Sequence, residues 1–123
     1  MEPRIYRAVR LMTDDLSRDL SLDELARSLN LSASRLRHLF KSELGISPHR
    51  HLKAQRLQKA KELLETTFLN IEEVMLKVGI KDRSHFVKDF KKTYQYSPSQ
   101  YRTNYLRASQ KKDSEPAAKS ATL

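Results

Sequence analysis

Two stretches, LFKSELGISP at residues 39–48 and DFKKTYQYSP at residues 89–98, carry a single pattern. Phe40, Lys41, Ser47 and Pro48 return fifty residues later as Phe90, Lys91, Ser97 and Pro98, while Leu44 and Ile46 are answered by Tyr94 and Tyr96. The correspondence runs further back, residues 22–31 aligning with 71–80 at an offset one shorter. One extra residue in the second turn accounts for the difference. Two copies make a duplicated unit rather than a solenoid.

Each copy reads as two helices around a tight turn. In the first, Ser21 stands at an N-cap with Glu24 three residues on, the spacing of a capping box, and Leu22, Leu25, Ala26 and Leu29 follow at helical spacing. Asn30 tolerates left-handed backbone, and Ser32 caps a second helix whose inner side holds Leu36, Leu39 and Phe40. In the second copy Asn70 and Glu73 form the cap pair, and Ile71, Val74, Met75 and Val78 form the stripe. Gly79 takes the place of Asn30, and Asp82 or Ser84 starts a helix carrying Phe86 and Phe90. Two helices joined at a left-handed residue make a helix-turn-helix.

Charge tracks the duplication. The chain has a net charge of +9, but residues 32–61 hold +7 and 81–107 hold +5, whereas 1–31 hold −1 and 62–80 hold −3. Positive charge therefore gathers on the second helix of each copy and on the residues just C-terminal to it. A merely solvated surface would mix its signs throughout. This layout points to an anionic partner.

Composition removes several other classes. With no cysteine, disulfides and thiolate chemistry are excluded, and no apolar run reaches the length of a membrane span. The expected compartment is the cytoplasm. His49 and His51 flank Arg50, but histidines at i, i+2 diverge on a helix and no carboxylate cluster completes a metal shell. No nucleophile with its base, phosphate loop or paired acids suggests an enzyme, and no cofactor is expected.

Ser47-Pro48 and Ser97-Pro98 each set a capping residue before proline at a first helical position. The first opens PHRHLKAQRLQKAKELLE, a run free of glycine and internal proline with Leu52, Leu57, Ala60, Leu63 and Leu64 on one face. As one helix it spans roughly 27 Å at 1.5 Å per residue. An N-terminal helix carries Ile5, Val9, Met12 and Leu16 at helical spacing. The chain thus divides into an N-terminal helix with the first helix-turn-helix at 1–46, a linking helix at 47–66, the second helix-turn-helix at 67–106 and a disordered tail at 107–123. The expected fold is all-α, with two helix-turn-helix subdomains joined by a long helix.

The segments SLDELARSLNLSASRLRHLFKSELGISPHRHL, RLQKAKELL and IEEVMLKVGIKDRSHFVKDFKKTYQYSPSQYR resemble the DNA-binding domain of the AraC/XylS family of bacterial transcriptional regulators. The match covers residues from about 5 to 106 and is most specific in the closing SP-x-x-YR, here Ser97, Pro98, Tyr101 and Arg102. The resemblance implies seven helices, sequence-specific binding to double-stranded promoter DNA and, in activators, contact with RNA polymerase. Many family members add an effector-binding or dimerising domain, so the chain is either a stand-alone member or part of a longer protein. Three places depart from the family pattern: Met75 for alanine, Ile80 after Gly79 for phenylalanine, and the pair Gln95-Tyr96 for a glycine before SP. A left-handed backbone at Gln95 would cost about 1 kcal/mol.

With Leu36, Leu39 and Phe40 facing inward, Ser34, Arg37 and His38 are left toward a groove, and the family's base-contacting positions fall on the same three. Alignment through Phe90 nominates Arg83, Ser84 and Lys88 on the second helix, with His85 at the edge. Arg37 can grip guanine O6 and N7 bidentately. The phosphate contacts expected are Arg35, Lys41, Arg50, His85, Lys91 and Lys92, with the N–H groups at the two proline-started helices. Two rivals are a helical protein-interaction module and a non-specific nucleic-acid-binding protein; both predict indifference to sequence.

Overall fold

A computed structural model describes the backbone of residues 1–113 and the side chains of residues 1–110. Among the described residues seven helices succeed one another: α1 (Pro3–Asp14), α2 (Leu22–Ser28), α3 (Ala33–Leu44), α4 (Pro48–Thr66), α5 (Ile71–Val78), α6 (Arg83–Tyr94) and α7 (Pro98–Asp113). The fold is all-α. Residues 107–113, expected within the disordered tail, instead continue α7. The rest of that expected tail, 114–123, lies outside the described residues.

Local chemistry sets the helix starts. Ser32, Ser47, Asn70 and Asp82 each accept a hydrogen bond from the N–H three residues on, satisfying one of the donors a helix start leaves orphaned. Asp82, not Ser84, is the cap of α6. Asn70 and Glu73 form the full reciprocal capping box. At Ser21 only half of it is made: the hydroxyl accepts from Glu24 N–H at 3.0 Å, and Ser21 stays a single-sided cap. Asn30 and Gly79 take the left-handed backbone expected of the turns, with φ of 59° and 78°.

The two cores are built alike. Ile5, Ala8 and Met12 of α1 close over Leu25, Ala26, Leu29, Leu36 and Phe40. Leu57, Ala60 and Leu64 of α4 close over Val74, Met75, Val78, Phe86 and Phe90. The spacing i, i+3, i+7 is the same on α1 and α4, so the duplicated unit is three helices, not two. Ala8 takes the place on the α1 stripe that periodicity assigned to Val9, which is only partly buried. Each buried phenylalanine adds about 1.5–3 kcal/mol of apolar burial. Met75 is buried within the second core, so the departure from alanine is absorbed by packing.

The 19-residue α4 is therefore more than a spacer. Its first turns lie on the first core through Leu52, and the remainder is the third helix of the second unit. A direct contact also joins the units. Arg56 on α4 donates from Nε to the Leu16 carbonyl at 2.9 Å and from Nη2 to the Arg18 carbonyl at 3.1 Å. Gly79, in the turn of the second unit, sits against the same loop, where a Cβ would lie 2.6 Å from the Leu16 carbonyl oxygen.

Candidate nucleic-acid interface

Ser34, Arg37 and His38 are exposed on α3 while Leu36 and Phe40 point into the core, and Leu39 is half-buried. Arg35 and Lys41 are exposed on the same helix, and Arg50 on α4. On α6 the residues Arg83, Ser84, His85, Lys88, Lys91 and Lys92 are all exposed above buried Phe86 and Phe90. Ser34 and Ser84 have hydroxyls free of capping, because Ser32 and Asp82 do that work.

Not every candidate is idle. Arg83 pairs with Glu72 of α5, and His85 Nδ1 lies 3.5 Å from Asp82. The Arg83 and Glu72 side chains are 55% and 64% exposed, so the pair adds no more than about 1 kcal/mol and gives way readily to a stronger partner. Lys53 on α4 reaches Asp89 on α6 at 2.9 Å, tying the second helix-turn-helix to the long helix.

Two clefts bring parts of the set together. One, at the first unit, is lined by Arg37 with His49 and Leu52 of α4. The other lies between the units and is lined by His49, Leu52 and Lys53 of α4, Lys81 of the second turn and His85 and Lys88 of α6. Both clefts are walled by His49 and Leu52, so Arg37 of α3 and Lys88 of α6 border neighbouring clefts that share these two α4 residues. Ser34, His38, Arg35, Lys41, Arg50, Arg83, Ser84, Lys91 and Lys92 border neither cleft.

His49 and Lys53 were missed from sequence. Their helical spacing, i and i+4, could have put them on one side of α4, but nothing local says that this side faces α6. His49 and His51 diverge: His51 is half-buried with its ring edge-on to Phe40 at 5.4 Å. Burial lowers its pKa from the ordinary 6.5, favouring the neutral ring.

The closing Tyr101-Arg102 pair proves to be a clasp. Arg102 donates to the carbonyls of Leu64 at 3.1 Å, Thr67 at 3.3 Å, Leu63 at 3.5 Å and also Leu69, gathering carbonyls from the last turn of α4 and the segment that follows it, although Leu63 already accepts from Thr67 N–H and Oγ1. Tyr101 donates its hydroxyl to Glu65, which also pairs with Lys61 at 3.0 Å. Burial pushes the Glu65 carboxyl up, but the hydrogen bonds from Tyr101 and Lys61 outweigh it and the net shift is downward.

A family model described as a helix-turn-helix domain matches residues 25–104. The arabinose operon regulatory protein of Escherichia coli is 38% identical over 103 residues, which are 83% of this chain and 35% of that protein. The chain spans about a third of the length of the curated relatives it matches. Among solved structures, the C-terminal domain of AraT, a response regulator from Geobacillus stearothermophilus, superposes with a TM-score of 0.78 at 38% identity, covering 84% of this chain and 86% of that one. The DNA-binding domain of the global transcriptional factor AdpA, solved with a target DNA, superposes with a TM-score of 0.81 at 25% identity, covering 85% and 95%.

Proposed function

Because the chain belongs to the AraC/XylS family of helix-turn-helix transcriptional regulators, we propose that it binds double-stranded promoter DNA at a specific sequence, with α3 and α6 entering successive major grooves on one side of the duplex. The observation that carries this reading is that Arg37 of α3 and Lys88 of α6 border neighbouring clefts walled by the same two α4 residues, His49 and Leu52. The 19 residues of α4 span about 28 Å. Successive groove faces lie about 34 Å apart, a gap that helices projecting beyond the ends of α4 can bridge. One chain thereby does what a symmetric dimer does with two.

In this reading Arg37 and Lys88 address base edges, with Ser34, His38 and Ser84 beside them, and Arg83 joins once released from Glu72. Arg35, Lys41, Arg50, His85, Lys91 and Lys92 lie along the phosphates, and His49 and Lys53 extend that track across α4. At the start of α4 the Arg50 and His51 N–H groups already bond to Ser47. The His49 N–H, and Ser99's at α7, are the groups left to meet a phosphate. Contact with RNA polymerase, and an effector-binding or dimerising domain in the length by which the relatives exceed this chain, complete the proposal for a regulator in the bacterial cytoplasm.

Selection of bound DNA from a random pool tests it. The expected product is an asymmetric site of about 20 bp with two boxes about 10–11 bp apart. Arg37→Ala should cost about 1–3 kcal/mol on that site and relax preference at one base pair. Lys91→Ala should weaken every sequence alike and lower the salt slope by about 1. Equal affinity for selected and random DNA would overturn the reading and favour a non-specific binder.

A further inference from the structure

The duplication supplies an internal comparison. The second unit is followed by SPSQYR (97–102) and the first by SPHRHL (47–52), so Leu52 stands where Arg102 stands. Arg102 runs back onto the carbonyls of Leu63, Leu64, Thr67 and Leu69. Leu52 has no donor and less reach. The corresponding loop in the first unit is held from another side, by Arg56 on the Leu16 and Arg18 carbonyls. Beside Leu52 lies a cleft of about 330 Å³.

The cleft floor is apolar: Leu11, Leu20, Leu22 and Leu52 are each partly buried there, with Met12 and Leu25 beneath. Two arginines, Arg18 and Arg37, make its rim positive, and His49 borders it together with the N-terminal turn of α4, Ser47 and Pro48, where the helix dipole is positive. One carboxylate opposes them, Asp15, and its Oδ1 already accepts from Ser17 N–H at 3.1 Å and Ser17 Oγ at 2.6 Å. The size is at the small end of the range for small-molecule sites, about 300–1,000 Å³. An apolar floor under two arginines suits a compact apolar body ending in a carboxylate, which an arginine fork grips well.

We propose that this cleft is a binding site for a small amphipathic organic anion, and that its occupant takes Arg37 away from DNA. The first half stands on the cleft alone; the second rests on the DNA-binding reading above. A ligand of this kind would switch off the first recognition helix without touching α6.

The experiment uses naphthalene-2-carboxylate, with naphthalene-2-carboxamide as its neutral match, titrated into the full chain and monitored by two-dimensional NMR. The carboxylate should saturate shifts of the Leu11, Leu22 and Leu52 methyls, and the carboxamide should bind about tenfold more weakly. Arg37→Gln should weaken the carboxylate by about the same factor and leave the carboxamide unchanged. Leu52→Arg, restoring the residue of the second unit, should abolish both. If that variant melts early, Arg37→Gln on the rim still decides. Shifts that do not saturate, that fall elsewhere, or that are equal for the two compounds overturn the site. On selected DNA the carboxylate should raise the apparent Kd of the wild type and not that of Leu52→Arg. Saturable methyl shifts with unchanged DNA affinity overturn the second half only, and loss of sequence preference leaves the NMR result standing.

Discussion

Gly45 and Gln95 close the same turn in the two units, and their backbones are nearly superimposable: φ 79° and ψ −6° at Gly45, φ 75° and ψ −10° at Gln95. Each donates its N–H to the carbonyl four residues back, at 2.8 Å to Lys41 and 2.7 Å to Lys91. The turn therefore survives without glycine, but the Cβ of Gln95 carries the left-handed strain. Gln95→Gly should stabilise the protein by about 0.5 kcal/mol once the greater freedom of unfolded glycine is subtracted, or roughly 2–3 °C in Tm. A thermal melt no higher than the wild type's would show that Gln95 is held there at no cost. The position was legible in sequence, because the equivalent residue in the other copy is a glycine.

Among the helices, the one whose end is most elaborately satisfied is α4. Its last carbonyls turn toward a single guanidinium from α7, and the neighbouring Tyr101–Glu65–Lys61 chain closes the same junction. Arg102→Met should cost at least about 1.5–3 kcal/mol in urea denaturation, since bonds to a charged donor are lost and the carbonyls are left partly buried. Arg102→Lys should recover only part of this, because a point-like ammonium cannot match a fork that reaches four oxygens. Full recovery by lysine would mean that charge alone matters at the end of α4. The first unit has no such clasp, and its loop depends on Arg56 instead.

At the scale of the whole molecule, the proposed two-groove reading depends on how α3 and α6 are set relative to each other, and the two units touch around Gly79. A Cβ there would meet the Leu16 carbonyl at 2.6 Å and Ser17 Cα at 2.8 Å, both backbone. Gly45 provides the control, with the same left-handed φ and nothing within 4 Å of a Cβ. Gly45→Ala should cost only the backbone term, about 1 kcal/mol. Gly79→Ala should cost more, and should lower affinity for two-box DNA by a larger factor than for either box alone. Equal losses on one and two boxes would show that the units dock independently of this contact. The Lys81–Asp19 pair also crosses between units, but with side chains 81% and 90% exposed it adds little.

The amino-acid sequence settled by itself most of what is encoded within about four residues along the chain, with the half-made box at Ser21 and the choice between Asp82 and Ser84 as exceptions. Caps at Ser32, Ser47 and Asn70, left-handed turns at Asn30 and Gly79, and the inward stripes of α2, α3, α5 and α6 arise from hydrogen bonds and periodicities local to each helix. They also placed the exposed faces of α3 and α6, because a buried Phe40 or Phe90 fixes which side remains outside. The tertiary structure alone decided that α4 completes the second core, that Ala8 rather than Val9 lies deepest on α1, and that His49 and Lys53 line the clefts beside Arg37 and Lys88. It also gave Arg56 and Arg102 their partners, in bonds that span 33 to 40 residues. Such contacts depend on how finished helices dock, and docking is set by the shape of two packed surfaces, which no short window of sequence contains.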